Sequence, residues 1–259
     1  MAEAAVLKSV EGGVGVLELN RPDKFNCLSS AMVAGLDAGL TALEGDRSVR
    51  AVLIRAKGKN FCTGADLDEV LAARENRNEL SAFIAGGHRV LRRLEGSRLP
   101  VVAAVQGLCL AGGLELMMGC DVVFAAQSAR FGCQHARYGL VPGWGGTQRL
   151  PRLVGLRRAL ELMFSARWLS ATEARECGLV NHVAADEALA NSALAYCADL
   201  AGKSRGGLAA MKGLARAGID LPLTDGLALE QGAVVDALLS ADVSEGLAAF
   251  QARREPVFP

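Results

Sequence analysis

The chain has 259 residues, with 28 Lys+Arg against 28 Asp+Glu, zero formal net charge, and a composition that is 51% hydrophobic but only 5% aromatic. That length suits one large domain or one domain with an appendage, and this apolar content excludes global disorder. A balanced charge argues against a nucleic-acid binder that works through bulk positive charge.

In chain order, Val14–Leu19 reads as a strand ended by Asn20-Arg21-Pro22-Asp23. Ser30–Leu43 reads as a helix capped by Ser29 or Ser30, and Val49–Arg55 as a second strand. A loop through Gly58, Gly64 and Asp66 leads into one long helical stretch reaching about Glu95. Val101–Val105 is wholly apolar, as in a sheet covered on both faces. A glycine loop, a short helix from about Gly113 and a strand at Asp121–Ala125 follow. This alternation predicts an α/β fold. Later, Ser170-Ala171-Thr172-Glu173 forms a capping box, and the chain from Asp186 is helical nearly to its end, with breaks near Gly202, Gly218 and Pro222. The helix near Asp225–Leu239 is apolar around too much of its circumference for a simple one-sided stripe. The division expected is a core over 1–200 and a C-terminal helical region over 201–259.

Seven cysteines, an odd number at irregular spacing, read as reduced thiols in a cytosol-like compartment. The opening Met1-Ala2-Glu3-Ala4-Ala5-Val6 carries no basic leader signature, and no apolar run is long enough to span a membrane. The expectation is therefore a cytoplasmic protein without membrane or nucleic-acid partners. The three histidines, His88, His135 and His182, lie far apart without metal-ligand spacing, so no metal is expected. Gly12-Gly13-Val14-Gly15 opens a strand instead of following one, and so does not match a dinucleotide fingerprint.

Two glycine-bearing segments each follow a predicted strand: Asn60–Leu67 and Gly107–Leu116. Side by side, such loops could aim two backbone N–H groups at one oxygen, with Glu115 on the first turn beside them. Tight packing turns are the alternative reading.

These segments belong to a longer series of motifs. Arg21-Pro22, Asn26 and Leu28 are followed by Phe61 with Gly64-Ala65-Asp66-Leu67, and by Pro100–Val105 with Gly107. Then come Ala111-Gly112-Gly113 with Glu115-Leu116, Phe131-Gly132, and Gly139–Leu150 including Pro142-Gly143 and Gly145-Gly146-Thr147-Gln148. In this order and over nearly the whole chain, the series resembles the crotonase superfamily, the enoyl-CoA hydratases and isomerases. The resemblance implies a crotonase-type spiral of ββα units with a C-terminal helical trimerisation region, assembling as trimers or hexamers. It implies an acyl-CoA substrate, with coenzyme A arriving as part of the thioester and no tightly bound cofactor. The amides of Ala65 and Gly112 would hold the thioester oxygen of an enolate. CoA would lie along Lys24, Phe25, Cys27, Gly64, Asp66 and Leu67, with Gly113 in the same loop system as Gly112. Phe250 and Arg253 could reach the adenine and ribose phosphate from their own or a neighbouring subunit, or Arg253 could be a solvated terminal charge.

The chain departs from the hydratase pattern first at position 135. The second glutamate of typical hydratases would stand at His135, while the first is retained as Glu115. His135 could act as an acid or base, orient substrate as a hydrogen-bond donor, or line the pocket of an enzyme that relies on Glu115 alone. His88 falls on the helix that lines the acyl pocket in the family, and is either a site residue or a solvent-facing one. Trp144 replaces a small residue common in hydratases, which predicts a short, branched, cyclic or functionalised acyl group rather than a long straight chain, unless the ring packs elsewhere. The reading is a hydratase-like lyase with catalytic Glu115, His135, Ala65 and Gly112. An isomerase, decarboxylase or thioester hydrolase using the same enolate is the alternative, and a non-catalytic acyl-CoA-binding protein is the reading from a different class.

Overall fold

The computed structural model describes residues 3–258; Met1, Ala2 and Pro259 lie outside it, and with them the first two residues of the N-terminal reading. In chain order the strands and helices begin with β1 (Val6–Glu11), β2 (Val14–Leu19), α1 (Ser30–Gly45), β3 (Ala51–Ala56), α2 (Leu67–Ala73) and α3 (Arg77–Gly96). They continue with β4 (Val101–Val105), β5 (Leu108–Leu110), α4 (Gly112–Met118), β6 (Val122–Ala126), β7 (Arg130–Gly132), α5 (Gly146–Val154) and α6 (Leu156–Ser165). The chain closes with β8 (Leu169–Ser170), α7 (Ala171–Glu176), β9 (His182–Ala184), α8 (Leu189–Ala201), α9 (Arg205–Gly218), α10 (Leu223–Leu238) and α11 (Ala241–Ala252).

The strands form two sheets. The larger has the order β1-β2-β3-β4-β6-β9, and the smaller β5-β7-β8. From β2 to β9 all neighbours in the larger sheet run parallel, whereas β1 returns antiparallel onto β2. Successive strands therefore alternate between sheets: β4 and β6 lie in the first, while β5 and β7 lie in the second. This alternation is the ββα repeat expected of the spiral. Every residue of β4 is buried, as its unbroken apolar run requires.

Three local features differ from the sequence reading. Val6–Glu11 is a strand that hydrophobic patterning did not mark; its residues are mostly half-buried or exposed. It is joined to β2 by a two-residue hairpin in which Gly12 and Gly13 both have positive φ, at 57° and 83°. That geometry matches the right-handed twist of the strands and is open to glycine. The helical stretch before Glu95 is two helices, because the Asn76 side chain accepts from Asn78 N at 2.9 Å and starts α3 afresh. The other strands not anticipated, β5, β7, β8 and β9, are only two or three residues long. Ser29 is the cap of α1, with its Oγ accepting from Met32 N at 3.1 Å, and the Ser170–Glu173 capping box forms as read.

α8 packs onto β2, β3, β4 and β6 and contributes Leu189, Ala193 and Cys197 to the core. The helices after it are attached differently: α9 and α10 bury no residue and α11 buries only Ala249. Charge anchors α9 to the body. Lys212 Nζ reaches Asp121 at 2.7 Å and the carbonyls of Leu94 and Leu99, and Arg216 also reaches Asp121 at 2.7 Å. Leu223, Leu227, Val235, Leu238 and Leu239 of this region are more than half exposed. Among the described residues, no helix is long and apolar enough to cross a membrane.

Candidate active site

Two loops meet at the C-terminal edge of the strands because β5 clamps one of them. Cys62 pairs with Cys109, with Cys62 N donating to Leu108 O at 3.1 Å and Leu110 N donating to Cys62 O at 3.0 Å. The other side of the same loop is held by Leu28, whose N–H donates to Gly64 O at 2.7 Å and whose carbonyl accepts from Asp66 N at 3.0 Å. Arg21 reinforces this edge, donating to Asp66 Oδ2 at 2.8 Å and to the Cys27 carbonyl at 3.1 Å. Burial disfavours the Asp66 charge, but hydrogen bonds from Arg21 and Cys27 outweigh it and hold the carboxyl below its ordinary value. The Cys27 thiol beside it is pushed up to about 11 by burial and by Asp66.

Ala65 N and Gly112 N are thereby brought together. A Cβ built on Gly112 would stand 3.2 Å from Ala65 N, and one built on Gly64 would stand 3.5 Å from Gly112 N. Neither amide donates to an acceptor among the described residues. Gly112 is the first residue of α4, where amides have no partner within the helix. The turn that points it this way runs through Ala111, at φ 47° and ψ −117°. A side chain rarely adopts that conformation, and holding it costs about 1–3 kcal/mol. Ala111 N–H is fixed to Gly132 O at 2.9 Å.

Glu115 sits one turn along α4, 2% exposed. Its Oε1 accepts from Trp144 N at 2.8 Å and from Gly146 N at 2.7 Å. Burial pushes the carboxyl up from its ordinary value, opposed by those two donors and by Arg149. Its other oxygen, Oε2, faces His135 Nε2 at 3.8 Å. The pairing of β5 with β7 explains this meeting, since Leu110 lies opposite Gly132 and His135 follows in a short turn of 3₁₀ helix. His135 is 9% exposed, and burial holds its imidazole below the ordinary value.

The loop that grips Glu115 is itself latched. Arg149 makes a two-pronged pair with Glu95, at 2.6 and 2.7 Å, and donates to Trp144 O at 2.7 Å. Trp144 is 2% exposed and fills a slot cut by two glycines. A Cβ on Gly87 would stand 2.1 Å from its Nε1, and one on Gly112 2.8 Å from its Cζ3. Phe83 packs on the indole with ring centroids 5.4 Å apart. Nε1 is the one buried side-chain polar atom without a hydrogen-bond partner among the described residues.

All of this opens on one cavity of about 500 Å³. Of the residues predicted from sequence, Glu115, His135, Ala65, Gly112, Lys24, Cys27, Gly64, Asp66, Leu67 and Trp144 line it. His88 does not. It is half-buried on α3, where burial and then Arg149 and Arg92 hold its imidazole below the ordinary value, against a smaller upward pull from the Gly143 backbone. Gly113 is also outside the cavity: a Cβ there would stand 2.1 Å from Cys62 O, so this glycine serves loop packing. Phe25, Phe250 and Arg253 do not line the cavity of their own chain, and Phe250 is 82% exposed at the end of α11. Sequence reasoning missed Phe83, Ile84, Arg137, Tyr138, Val141 and Trp168 on the cavity wall. Among the described residues no three His, Cys, Asp or Glu side chains gather as a metal site would require.

A buried carboxylate, an imidazole facing it and two amides without acceptors among the described residues share one cavity, an arrangement that can act on a polarised carbonyl. Comparison with known proteins narrows the class. A family model described as enoyl-CoA hydratase/isomerase matches residues 9–259. The chain is 36% identical to the mitochondrial methylglutaconyl-CoA hydratase of Mus musculus over 255 residues, covering 96% of this chain and 81% of that one. The solved enoyl-CoA hydratase of Bacillus anthracis is 34% identical with a TM-score of 0.94, covering 98% of each chain. That of Polaromonas sp. JS666 is 31% identical with a TM-score of 0.94, covering 98% of this chain and 99% of that one. The chain belongs to the enoyl-CoA hydratase/isomerase family and has the crotonase fold. It is a hydratase-like acyl-CoA enzyme.

Proposed function

We propose that this enzyme adds water across the conjugated double bond of a short enoyl-CoA thioester. The observation that carries the reading is the facing of Glu115 Oε2 and His135 Nε2, 3.8 Å apart, in the cavity that also receives the amides of Ala65 and Gly112. The thioester oxygen accepts hydrogen bonds from those two amides. As water attacks the β-carbon, its proton passes to the Glu115 carboxylate and the π electrons move onto the thioester oxygen as an enolate. The enolate then collapses and the α-carbon takes the proton from Glu115, so the product is a 3-hydroxyacyl-CoA and Glu115 is again ionised. Each oxyanion donor is worth about 10²–10³ in rate, and a positioned acid/base group about 10²–10⁴.

The gap at His135 does not abolish this chemistry, because one carboxylate can both take and return the proton. Arg149 and the amides of Trp144 and Gly146 support the ionised form of Glu115 between turnovers. Trp144 supports a short or compact acyl group, since the indole stands directly beside Gly112. Lys24 belongs to the CoA side, and its ammonium makes an exposed pair with Asp68 at 3.2 Å. The exposed apolar residues of α10 fit contact between copies of the chain, as in a trimer or hexamer, and the reduced thiols fit a cytoplasmic enzyme.

The test is turnover of crotonyl-CoA by the purified protein, followed by loss of the conjugated-thioester absorbance, with malonyl-CoA and saturated acyl-CoAs as alternatives. Hydration abolished in Glu115→Gln supports the reading. Turnover of malonyl-CoA with none of crotonyl-CoA would replace it by decarboxylation.

A further inference from the structure

Cys133 Sγ lies 3.4 Å from His135 Nδ1, on the side of the ring away from Glu115. The thiol is 4% exposed, and His135 Nδ1 is its one side-chain hydrogen-bonding partner among the described residues. From this geometry we infer that Cys133 fixes His135 in the tautomer carrying its proton on Nε2. Cys133 is then a positioning residue for the acid/base pair, and neutral His135 presents a donor to the reacting oxygen.

Both ends of the imidazole argue for the same tautomer. On the Nδ1 side, a thiol is a weak acceptor, whereas an imine nitrogen is a good one, so the favourable sense is S–H donating to Nδ1. Burial, with Glu115 nearby, pushes the thiol up to about 11, so it keeps its proton at neutral pH. On the Nε2 side stands Glu115 Oε2, which only accepts when ionised. A bare Nε2 there would set lone pair against lone pair. With hydrogen on Nε2, the two groups present a donor and an acceptor 3.8 Å apart, and one oxygen standing to the side of that line can accept from Nε2–H while donating to Oε2. The tautomer of a histidine follows from the bond its other nitrogen makes, and here that bond is to sulfur.

The consequence separates the alternatives left open by the sequence. In its neutral form His135 is not the base, because the nitrogen facing the site already carries hydrogen. It orients the oxygen being added, and Glu115 alone takes the proton. This catalytic meaning rests on the hydration reading; the tautomer itself does not.

The experiment is ¹⁵N NMR of histidine-labelled enzyme above the titration of His135, together with steady-state hydration of crotonyl-CoA. The chain has three histidines, so His135→Gln assigns the signals. The expected result is a single Nε2–H tautomer at His135, becoming mixed in Cys133→Ala, with kcat lowered about two- to tenfold, the size of one neutral hydrogen bond. Cys133→Ser, whose hydroxyl can donate in the same sense, recovers most of both effects. An Nδ1–H tautomer in the unaltered enzyme overturns the inference, as does a tautomer unchanged in Cys133→Ala. A tautomer that changes without any change in kcat overturns the positioning role. The expected tautomers in a protein that hydrates no enoyl-CoA uphold the structural inference and sink the hydration reading, so the two failures are distinguishable.

Discussion

Trp144→Ala is the sharpest probe of acyl specificity. The indole occupies space bounded by Gly87, Phe83 and Gly112, directly beside one of the two free amides. Removing it opens that space to the substrate. An acyl chain longer by about two methylenes that fills the space gains roughly 1.6 kcal/mol at about 0.8 kcal/mol per buried methylene, about fifteenfold in kcat/KM. The unaltered enzyme is expected to lose efficiency from crotonyl- to hexenoyl- to octenoyl-CoA, and Trp144→Ala to reverse the order. The substitution lowers stability by about 3–5 kcal/mol through the cavity it leaves. No hydrogen bond is lost with Nε1, which has no partner among the described residues. Thermal melting establishes that the variant is folded, and Trp144→Leu, which keeps part of the bulk, gives an intermediate profile. A chain-length profile that stays the same in folded Trp144→Ala refutes the argument.

Glu115→Gln is expected to lower kcat by about 10²–10⁴ while the fold survives, because its amide oxygen can still accept from Trp144 N and Gly146 N. Circular dichroism alongside turnover checks both halves. Since burial raises the Glu115 carboxyl, kcat/KM falls on its acid side at a pH above the ordinary glutamate value of about 4.3, and His135→Gln leaves that limb in place. Arg21→Ala strands Asp66 and destabilises by about 1–3 kcal/mol in urea unfolding. The folded Asp66 carboxyl lies below its ordinary value, so its contribution is present above about pH 3.9 and disappears as pH falls through the lower folded value. Arg21→Ala therefore shifts acid unfolding to higher pH. Gly113→Ala puts a carbon 2.1 Å from Cys62 O and is expected to cost both stability and turnover by parting the two loops.

The parts of the site that could be read from sequence are those with strong local chemistry. The two glycine-bearing loops and the first-turn Glu115 stand out on their own residues, whereas the choice of the Ala65 and Gly112 amides and the weight on His135 rest on the family resemblance. Helical phase was the point of failure on α3. Spacing puts His88 on the right helix, yet Phe83, Ile84 and Gly87 carry the face toward the cavity and Trp144, while His88 turns toward Gly143 and Arg149. The hold of Arg149 on the Trp144 carbonyl depends on Gly145 at φ 100°, where a Cβ would strike the guanidinium at 2.1 Å. A Gly-Gly pair marks such a turn without saying what fills it. In the fold, the buried strands were legible from apolar runs. β1 was not, because its burial comes from pairing along a half-exposed edge, and only its two-glycine hairpin marked it.

The two free amides have a consequence for how such a site can change over time. They belong to the main chain, so no exchange of one amino acid for another removes an N–H unless proline enters. The carboxylate and the imidazole, by contrast, are side chains and can each be exchanged in one mutational step. A lineage built on this scaffold can therefore try new proton chemistry at positions 115 and 135, while the two main-chain amides pass unaltered from ancestor to descendant. What aims the second of these amides is the turn at the unreactive Ala111, held at φ 47° and ψ −117°.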